Sequence, residues 1–368
     1  MANVAEAGRF YTASNRRKES HLALSVKGRV CYTVPSDASA REACWKTFRP
    51  GRLELPLRAM ARLPWLFGAV RSEEGEILHS IREALGTEAG LSCCRTGAAG
   101  VWSKDTILFL DQTAKPLYIV KAGAGEAVDA LLRNEAEWLQ RLRGQAALSN
   151  HIPELIAHRA GTDLCFVAQS ALPGDLDFTL GEPQFEFLRK LQDDSLQTMR
   201  YEDTKLCRNL DFRLKELCGL LPEDWAVRLD QAMRCISEVF EKSPPSFTAA
   251  HNDFTTWNIR VEGGVARVFD WEYADLEQLP LFDPLHFALM PMILKREPAA
   301  KIIRKMHQTL QLCEHWLGKE RCQAAETQAL AYFVNLCTLY LWSVLGVPES
   351  HPLLDSYSGF IDYLCRNQ

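Results

Sequence analysis

The stretch that decides the fold is residues 249–275, which read AAHNDFTTWNIRVEGGVARVFDWEYAD. Within it, two short β-type runs, residues 259–261 and 265–269, are separated by a Glu-Gly-Gly turn signal. Runs of this kind joined by a Gly-Gly turn predict a β-hairpin. Because paired strands lie about 5 Å apart, the hairpin brings Asn258, before its first strand, beside Asp270, after its second.

The side chains that this hairpin gathers are hard oxygen donors. An amide from Asn258 and a carboxylate from Asp270 suit Mg²⁺ holding phosphates better than zinc. A second acid, Asp253, precedes Asn258 by five residues, and His251 precedes Asp253 by two. Phosphoryl transfer needs such a set, because one carboxylate orients the attacking hydroxyl while an amide and another carboxylate hold the metal. The alternative is an ordinary polar hairpin with solvated acids. The presence of all four residues in this pattern disfavours it.

Two segments of this region, HNDFTTWN and FDWEY, resemble motifs of a known family. They are similar to the catalytic and metal motifs of the aminoglycoside phosphotransferase and choline kinase-like branch of the protein kinase-like fold. The resemblance implies a two-lobed α+β fold with a small antiparallel β N-lobe, a mainly helical C-lobe and an N-terminal extension. It also implies that Asp253 is the catalytic base, that Asn258 and Asp270 bind Mg²⁺, and that His251 braces the loop by hydrogen bonds.

A third segment, PLFDPLHF at residues 280–287, resembles the part of the family that carries a structural acid. Asp283 is therefore expected to bind backbone near the catalytic loop rather than substrate. His286 lies on the same apolar segment, and we interpret it as a satisfied core histidine rather than a ligand.

The region that follows the N-terminal extension fits the N-lobe of such an enzyme. β-type runs at residues 91–95 and 106–110 flank Gly97 and Gly100. Small residues between antiparallel strands let backbone N–H groups approach phosphate oxygens, so both glycines are candidate ATP contacts. A third run ends at Lys121, for which the resemblance implies contact with the α- and β-phosphates of ATP.

A helical stripe of apolar residues follows over residues 127–142 and carries two acids, Glu135 and Glu137. An ATP-binding lysine on an apolar strand needs a carboxylate to fix it. Matching this helix to the family favours Glu135 over Glu137 as the partner of Lys121. Either acid is also typical of a solvated helix surface.

The segment QSALPG resembles the hinge that connects the two lobes, whose backbone recognises adenine in the family. Gln169 and Ala171 are the nearest positions. On this basis the chain divides into an extension or small subdomain at 1–88, an N-lobe with hinge at 89–174, and a helical C-lobe at 175–368.

The acceptor is predicted less sharply than the nucleotide site. Four candidate acceptor contacts lie beside the catalytic loop: Trp257, Trp271, Glu272 and Tyr273. Aromatic and acidic groups hold a quaternary ammonium in choline-type kinases, and aromatic rings also stack on sugar faces. We therefore expect a small-molecule hydroxyl acceptor: a sugar, an aminoglycoside-like compound or an amino alcohol. The competing interpretation is that these aromatic residues pack the core of the C-lobe.

Other functions stay open at this point. DFTTWN and FDPLHF also resemble kinase-like proteins of bacterial surface-polysaccharide synthesis, which suggests a polysaccharide intermediate as acceptor. A catalytically silent kinase-like binding module should lack one of Lys121, Asp253, Asn258 and Asp270, and all four are present. A protein kinase is disfavoured because no clear activation segment lies between Asp270 and Asp283. The preference for ATP over GTP and the oligomeric state are also open.

Composition is that of a globular protein, with 368 residues, 47% of them hydrophobic and 24% charged. A formal net charge of −5 argues against a nucleic-acid partner. No secretory signal is visible in residues 1–18, so we expect the twelve cysteines to be reduced and the location to be cytoplasmic. The uncharged stretch 327–348 is interpreted as a buried helix rather than a membrane span. Residues 56–70 are interpreted as packing on the N-lobe in preference to a peripheral membrane contact.

Overall fold

The computed structural model describes residues 10–13, 21–26, 29–48, 70–86, 91–97, 100, 102–347 and 353–366. The chain forms two compact units. Unit 1 comprises the residues up to 143 together with 153–172, and unit 2 comprises 144–152 together with the residues from 173 onward. The apolar stretch 56–70 lies outside the described residues except for its last residue.

Unit 1 is built on a nine-stranded antiparallel sheet in the order β1-β4-β2-β3-β5-β6-β7-β9-β8. The strands are β1 (Tyr11–Ala13), β2 (His21–Val26), β3 (Arg29–Pro35), β4 (Val70–Glu74), β5 (Ser92–Arg95), β6 (Lys104–Leu110), β7 (Pro116–Gly123), β8 (Leu155–Arg159) and β9 (Cys165–Ser170). The helices are α1 (Ala38–Phe48), α2 (Glu76–Leu85) and α3 (Glu126–Arg143). Strands β5 to β9 and helix α3 confirm the N-lobe predicted from the sequence.

The strands before the predicted N-lobe extend its sheet. Strand β3 pairs with β5, where Tyr32 lies opposite Arg95 and Thr33 opposite Cys94. The first four strands are thus joined to the N-lobe strands by backbone hydrogen bonds. Side-chain patterns define a strand and its two faces, but they do not specify which strand lies beside it, so the sequence did not indicate this continuity.

Both faces of the sheet in unit 1 are buried at β6. Successive side chains of a strand point to opposite faces, and β6 shows this directly. Its Ile107 and Phe109 belong to an apolar cluster with α2, whereas its Leu108 and Leu110 belong to a second cluster with α1. This two-sided burial explains why β6 is a continuous apolar run rather than an alternating one.

A disulfide joins α1 to the sheet. Cys44 of α1 and Cys93 of β5 are bonded, with Cα atoms 6.5 Å apart and a sequence separation of 49. The expectation that every cysteine is reduced is therefore wrong for this pair. The packing of α1 on one face of β5 brings the two sulfur atoms together, and cysteine spacing alone does not reveal such pairing. The ten other cysteines, all within the described residues, are not disulfide-bonded.

Unit 2 is mainly helical, as predicted. Its α-helices are α4 (Glu182–Asp193), α5 (Lys205–Glu216), α6 (Glu223–Lys242), α7 (Phe282–Leu294), α8 (Ala299–Leu317), α9 (Ala325–Ser343) and α10 (Leu354–Arg366), with a 3₁₀ turn at Tyr201–Asp203. Its strands are β10 (Asp175–Leu176), β11 (Gln197–Thr198), β12 (Ser246–Ala250), β13 (Ile259–Glu262), β14 (Val265–Val268) and β15 (Asp275–Gln278). Strands β10, β13 and β14 form one small sheet, and β11, β12 and β15 form another.

Helix α9 corresponds to the uncharged stretch that was interpreted as a buried helix. Tyr332, Phe333 and Val334 succeed one another along it and are each at most 1% exposed. A helix that is apolar on all sides is typical of the interior of a protein. Within the described ranges, no helix is both long and apolar enough to cross a bilayer.

Candidate active site

Strands β13 and β14 form the hairpin predicted from the sequence. Both turn glycines have positive φ angles, +58° for Gly263 and +80° for Gly264, which a tight hairpin turn requires and glycine adopts without strain. At the open end of the hairpin, the N–H of Phe269 donates to the carbonyl oxygen of Asn258 at 3.1 Å. This bond places Asn258 across from the residue that precedes Asp270.

Asp283, in the first turn of α7, holds the backbone of the catalytic loop. Its Oδ2 accepts from the N–H of His251 at 2.7 Å, and its Oδ1 accepts from the N–H of Asn252 at 2.9 Å. Asn252 has a φ of +63°, a left-handed conformation that asparagine tolerates better than most residues. Burial raises the pKa of the Asp283 carboxyl, and hydrogen bonds from these two N–H groups counter that rise. Asp283 therefore binds backbone rather than presenting its carboxylate to a ligand.

His251 crosslinks the loop to the hairpin through both ring nitrogens. Its Nε2 lies 2.9 Å from the carbonyl oxygen of Phe269, and its Nδ1 accepts from the N–H of Asp253 at 3.2 Å. A carbonyl only accepts and an amide N–H only donates, so the proton of the neutral ring is on Nε2. The ring also packs edge-on against Trp271, with centroids 4.7 Å apart. His251 is fully buried, and its two hydrogen bonds hold the catalytic loop against the hairpin.

The carboxylate of Asp253 is contacted on both oxygens. Nδ2 of Asn258 donates to its Oδ2 at 2.8 Å, and Nε2 of His286 lies 3.3 Å from its Oδ1. On the other side of the imidazole, Nδ1 of His286 lies 3.2 Å from the hydroxyl of Tyr332. One neutral tautomer satisfies both contacts, because the tyrosine O–H donates to Nδ1 while the Nε2–H donates to the carboxylate. The Asp253 side chain remains 26% exposed, so it is oriented but accessible.

His286 is a candidate functional residue that the sequence alone assigned to the core. It is 6% exposed, as expected for a core residue, but its ring contacts the candidate base rather than apolar neighbours alone. It lies three residues after Asp283 on α7, and residues at this spacing share a helix face. One face of α7 thus supports both the backbone of the loop and the carboxylate of Asp253. The Asp-x-x-His spacing at the start of a helix was the signal available in the sequence.

Asn258 and Asp270 provide donors that fit Mg²⁺. The Nδ2 of Asn258 is directed to Asp253, at 3.0 Å from its carbonyl oxygen and 2.8 Å from Oδ2, so Oδ1 is the atom left to coordinate a cation. Asp270 has a φ of +73°, and non-glycine residues held in this region concentrate at functional sites. An amide oxygen and a carboxylate are the ligand types that Mg²⁺ prefers.

In unit 1, Lys121 and Glu135 form a buried ion pair. Nζ of Lys121 donates to both carboxylate oxygens of Glu135, at 2.7 and 2.8 Å. Glu135 is fully buried, whereas Glu137 on the same helix is exposed. The structure therefore pairs Lys121 with the acid that the sequence favoured. A buried pair of this kind fixes the direction in which the ammonium points.

Gly97 and Gly100 lie in the loop between β5 and β6, three of whose residues lie outside the described ranges. The N–H of Gly97 donates to Oδ1 of Asp105 at 2.8 Å. A Cβ atom on Gly97 would lie 2.1 Å from the backbone oxygen of Lys104. This close approach of two backbones requires glycine at position 97 whether or not a phosphate binds there. Phosphate contact by either glycine stays a prediction.

Gln169 and Ala171, the two positions expected nearest the adenine, both have partners within the sheet of unit 1. The side chain of Gln169 is buried, and its residue pairs with Ile119 of β7 and Leu155 of β8 inside the sheet. The N–H of Ala171 donates to the carbonyl oxygen of Leu117 at 2.8 Å. An adenine contact through that N–H would require this bond to open.

Residues 95–312, more than half of the chain, match the model of the phosphotransferase enzyme family. The chain belongs to the phosphotransferase enzyme family. The matched region contains Lys121, Glu135 and the whole catalytic loop, and it begins at the last residue of β5, so the first four strands precede it. No curated protein matches the chain.

Several solved phosphotransferases share the fold of this one. A thermostable mutant of aminoglycoside phosphotransferase APH(4)-Ia in its apo form gives a TM-score of 0.53 at 16% identity, covering 78% of this chain and 97% of that one. Another mutant of that enzyme, in a ternary complex with AMP-PNP and hygromycin B, gives 0.54 at 16% identity, with coverages of 79% and 98%. A GDP complex of an aminoglycoside 2′-phosphotransferase-IIIa mutant gives 0.54 at 11% identity, with coverages of 80% and 98%. These likenesses establish the two-lobed kinase-like fold.

The four candidate acceptor contacts of this phosphotransferase fall into two pairs. Trp271 is fully buried, and its indole N–H donates to the carbonyl oxygen of Val268 at 3.1 Å. The expectation that Trp271 contacts the acceptor is therefore wrong, because its side chain belongs to the packed core. Glu272 is also buried, at 7% exposure. In contrast, Trp257 is 40% exposed and Tyr273 is 47% exposed.

A cavity of about 500 Å³ in unit 2 connects these exposed residues to the candidate base. Asp253, Trp257, Tyr273 and His286 all line it. Its volume is that of a site for a small molecule. Asp253, the candidate base, therefore borders a space of small-molecule size.

Proposed function

We propose that this phosphotransferase transfers the γ-phosphate of ATP to a hydroxyl group of a small molecule. The observation that carries the proposal is the position of Asp253. Its carboxylate is oriented on both oxygens, remains accessible, and borders a cavity of about 500 Å³.

In this reaction Asp253 serves as the base. The acceptor hydroxyl lies against its carboxylate, and the hydroxyl oxygen attacks the γ-phosphorus in line with the bridging oxygen of the leaving ADP. The new bond joins the acceptor oxygen to phosphorus, the bond from phosphorus to the bridging oxygen breaks, and the hydroxyl proton passes to Asp253. Contacts from Asn258 and His286 stop the carboxylate from rotating, which supports catalysis by positioning.

The nucleotide is held in part by Lys121. Its ammonium, fixed by Glu135, would contact phosphate oxygens of ATP and offset their charge. ATP as donor is supported by the fold neighbour that binds AMP-PNP, while another neighbour binds GDP. A direct comparison of ATP and GTP in the assay below decides between the two donors.

Asn258 and Asp270 are the residues that would hold Mg²⁺. The bound ion supplies positive charge that neutralises phosphate oxygens during transfer. The amide oxygen of Asn258 would act while its Nδ2 remains on Asp253, so one residue would serve both the metal and the base.

The proposal is tested by incubating the protein with γ-labelled ATP, Mg²⁺ and a panel of sugars, aminoglycosides, amino alcohols and hydroxy acids. Labelled product is expected for one class, together with slow release of labelled phosphate to water without acceptor. Asp253→Asn should lower the transfer rate by about a hundredfold or more, while the rise in melting temperature caused by Mg–ATP persists.

Two further variants complete the test. Asp270→Ala should abolish the rise in melting temperature that depends on Mg²⁺ and ATP together. Asp230→Asn removes an exposed acid on α6 and should leave both readouts unchanged. A transfer rate unaltered by Asp253→Asn would overturn the role of Asp253. Binding of Mg–ATP with neither transfer nor hydrolysis would favour a catalytically silent module instead.

A further inference from the structure

The cavity beside Asp253 has an apolar wall and one strongly basic residue. Its apolar and aromatic members include Leu206, Phe282, Met290, Leu336 and Tyr340. Among the described residues that line it, Arg213 is the only arginine or lysine. This arginine lies on α5.

The guanidinium of Arg213 is held in place by a neutral residue. One nitrogen, Nη1, donates to Oδ1 of Asn335 at 2.9 Å and to the carbonyl oxygen of Asn335 at 3.3 Å. A guanidinium has five N–H donors, so most of them are not used by Asn335. No carboxylate in the described part of the chain forms an ion pair with Arg213. Its charge is anchored to the wall of the cavity but is not neutralised.

The acids that line the same cavity already have partners. Oδ2 of Asp275 lies 2.5 Å from Nζ of Lys205, and Oε2 of Glu277 accepts from the N–H of Lys205 at 2.6 Å. Glu277 is also 3.7 Å from Arg208. Asp253 keeps its negative charge, because the amide of Asn258 and the neutral ring of His286 orient its carboxylate without neutralising it, and it is the group that faces the acceptor hydroxyl. Asp275 and Glu277 thus pair with Lys205 and Arg208 and not with Arg213, whose positive charge has no acid beside it within the described residues.

The positive charge of Arg213 is partly withdrawn from water. Arg213 is half-buried, and desolvation lowers the pKa of its guanidinium, with no carboxylate acting in the opposite direction. Arginine nevertheless stays protonated at neutral pH. A guanidinium that is partly withdrawn from water and faces a cavity gains from an anion, because the interaction is screened less than at an open surface.

We propose that the cavity binds its acceptor through an anionic group, a carboxylate or a phosphate, held by Arg213. The apolar wall packs the hydrocarbon part of the acceptor, and its hydroxyl is presented to Asp253. This assignment rests on the proposed phosphotransfer. Of the sugar, aminoglycoside-like and amino alcohol acceptors expected from the sequence, it disfavours the last two, because an amine placed near Arg213 would be repelled.

Direct binding tests the proposal without a known acceptor. Phenylacetate, benzyl phosphate, phenethyl alcohol and phenethylamine share an aromatic body and differ in charge. Their dissociation constants for the full chain are measured by calorimetry at low salt. One or both anions should bind about tenfold or more tightly than the alcohol, and the amine should bind no better than the alcohol. The two anionic probes distinguish a carboxylate site from a phosphate site.

Variants separate the cavity from the rest of the surface. Arg213→Gln should remove the advantage of the anions. Asn335→Asp should remove it as well while keeping the arginine, because a carboxylate in the position of the Asn335 side chain would neutralise the guanidinium. Arg234→Gln changes an exposed arginine on α6 and should leave the anion affinity unchanged.

The two proposals can fail independently. Equal binding of all four probes, tighter binding of the amine, or an anion preference that persists in both Arg213→Gln and Asn335→Asp would overturn the anionic acceptor. If Arg213→Gln does not fold, Asn335→Asp alone decides. Loss of label transfer with an intact anion preference would count against phosphotransfer and not against the anion site. Transfer of label to amines in preference to acids would leave phosphotransfer intact and refute the acceptor class.

Discussion

Nε2 of His286 lies 3.3 Å from Oδ1 of Asp253, and its Nδ1 lies 3.2 Å from the hydroxyl of Tyr332. The base of the proposed reaction is therefore backed by a buried histidine, itself oriented by a buried tyrosine on α9. The arrangement holds the carboxylate in one orientation and places a hydrogen-bond donor beside the atom that would receive a proton.

His286→Asn should lower kcat by about tenfold to a hundredfold, because the carboxylate of Asp253 loses its donor and rotates more freely. The nucleotide-induced rise in melting temperature should be retained. Tyr332→Phe should have a smaller effect in the same direction, since it removes only the support of the histidine. His315→Asn, on the exposed side of α8, is the matched control. An unchanged kcat in His286→Asn would show that the contact is structural only.

The ion pair between Lys121 and Glu135 predicts that removing both charges restores stability but not the binding of Mg–ATP. Lys121→Met leaves the fully buried carboxylate of Glu135 without its ammonium and should lower the free energy of unfolding by about 3–5 kcal/mol. The double variant Lys121→Met with Glu135→Leu should recover most of that loss, because no uncompensated charge remains. Binding of Mg–ATP should stay weak in both. Urea denaturation and calorimetry measure the two quantities, and a double variant no more stable than the single one would contradict the argument.

Asp283→Asn tests the support of the catalytic loop. The N–H groups of His251 and Asn252 donate to opposite oxygens of this carboxylate, and an amide offers only one acceptor. One buried N–H would therefore lose its partner, which should lower the free energy of unfolding by about 1–3 kcal/mol. Turnover should fall as well, since Asp253 follows directly on this backbone. Urea denaturation that shows no loss of stability would contradict the assigned role.

His151 predicts a pH dependence of stability. Burial lowers the pKa of its imidazole from 6.5. Its Nδ1 donates to the carbonyl oxygen of Ala266 at 2.7 Å, and its Nε2 lies 3.1 Å from Nζ of Lys190. Lys190 and Arg267 also disfavour a second proton on the ring, whereas Glu186 favours it.

Because its pKa is lowered, His151 makes the folded protein less stable as the pH falls. The pKa of His151 is lower in the folded state than in the unfolded state. Its contribution to the free energy of unfolding is therefore complete above the unfolded-state pKa and is lost as the pH falls through the folded-state pKa. His151→Asn should show a smaller loss of stability than the wild type when the pH falls from about 7 to about 5. Melting temperatures across that range provide the measurement, with His158→Asn, an exposed histidine of β8, as control. Equal pH dependence in the variant and the wild type would exclude this contribution.

Local sequence determined the hairpin and the chemical identity of its ends. The Gly-Gly turn and two short β-type runs fix which residues face one another, so Asn258 and Asp270 were predictable as partners. The choice of Glu135 also followed from local pattern, because the helical stripe of α3 places Glu135 among buried residues and Glu137 on the exposed side. Each of these relations spans only one or two elements of regular structure.

Tertiary structure decided the relations between distant elements. His286 meets Asp253 across 33 residues, Cys44 meets Cys93 across 49, and Arg213 meets Asn335 across 122. Trp271 lies beside the catalytic motif in sequence, yet it is fully buried. Sequence patterns specify the face on which a side chain lies, because backbone periodicity is local. The neighbours that this face contacts depend on how helices and strands pack to exclude water, which is a property of the whole unit.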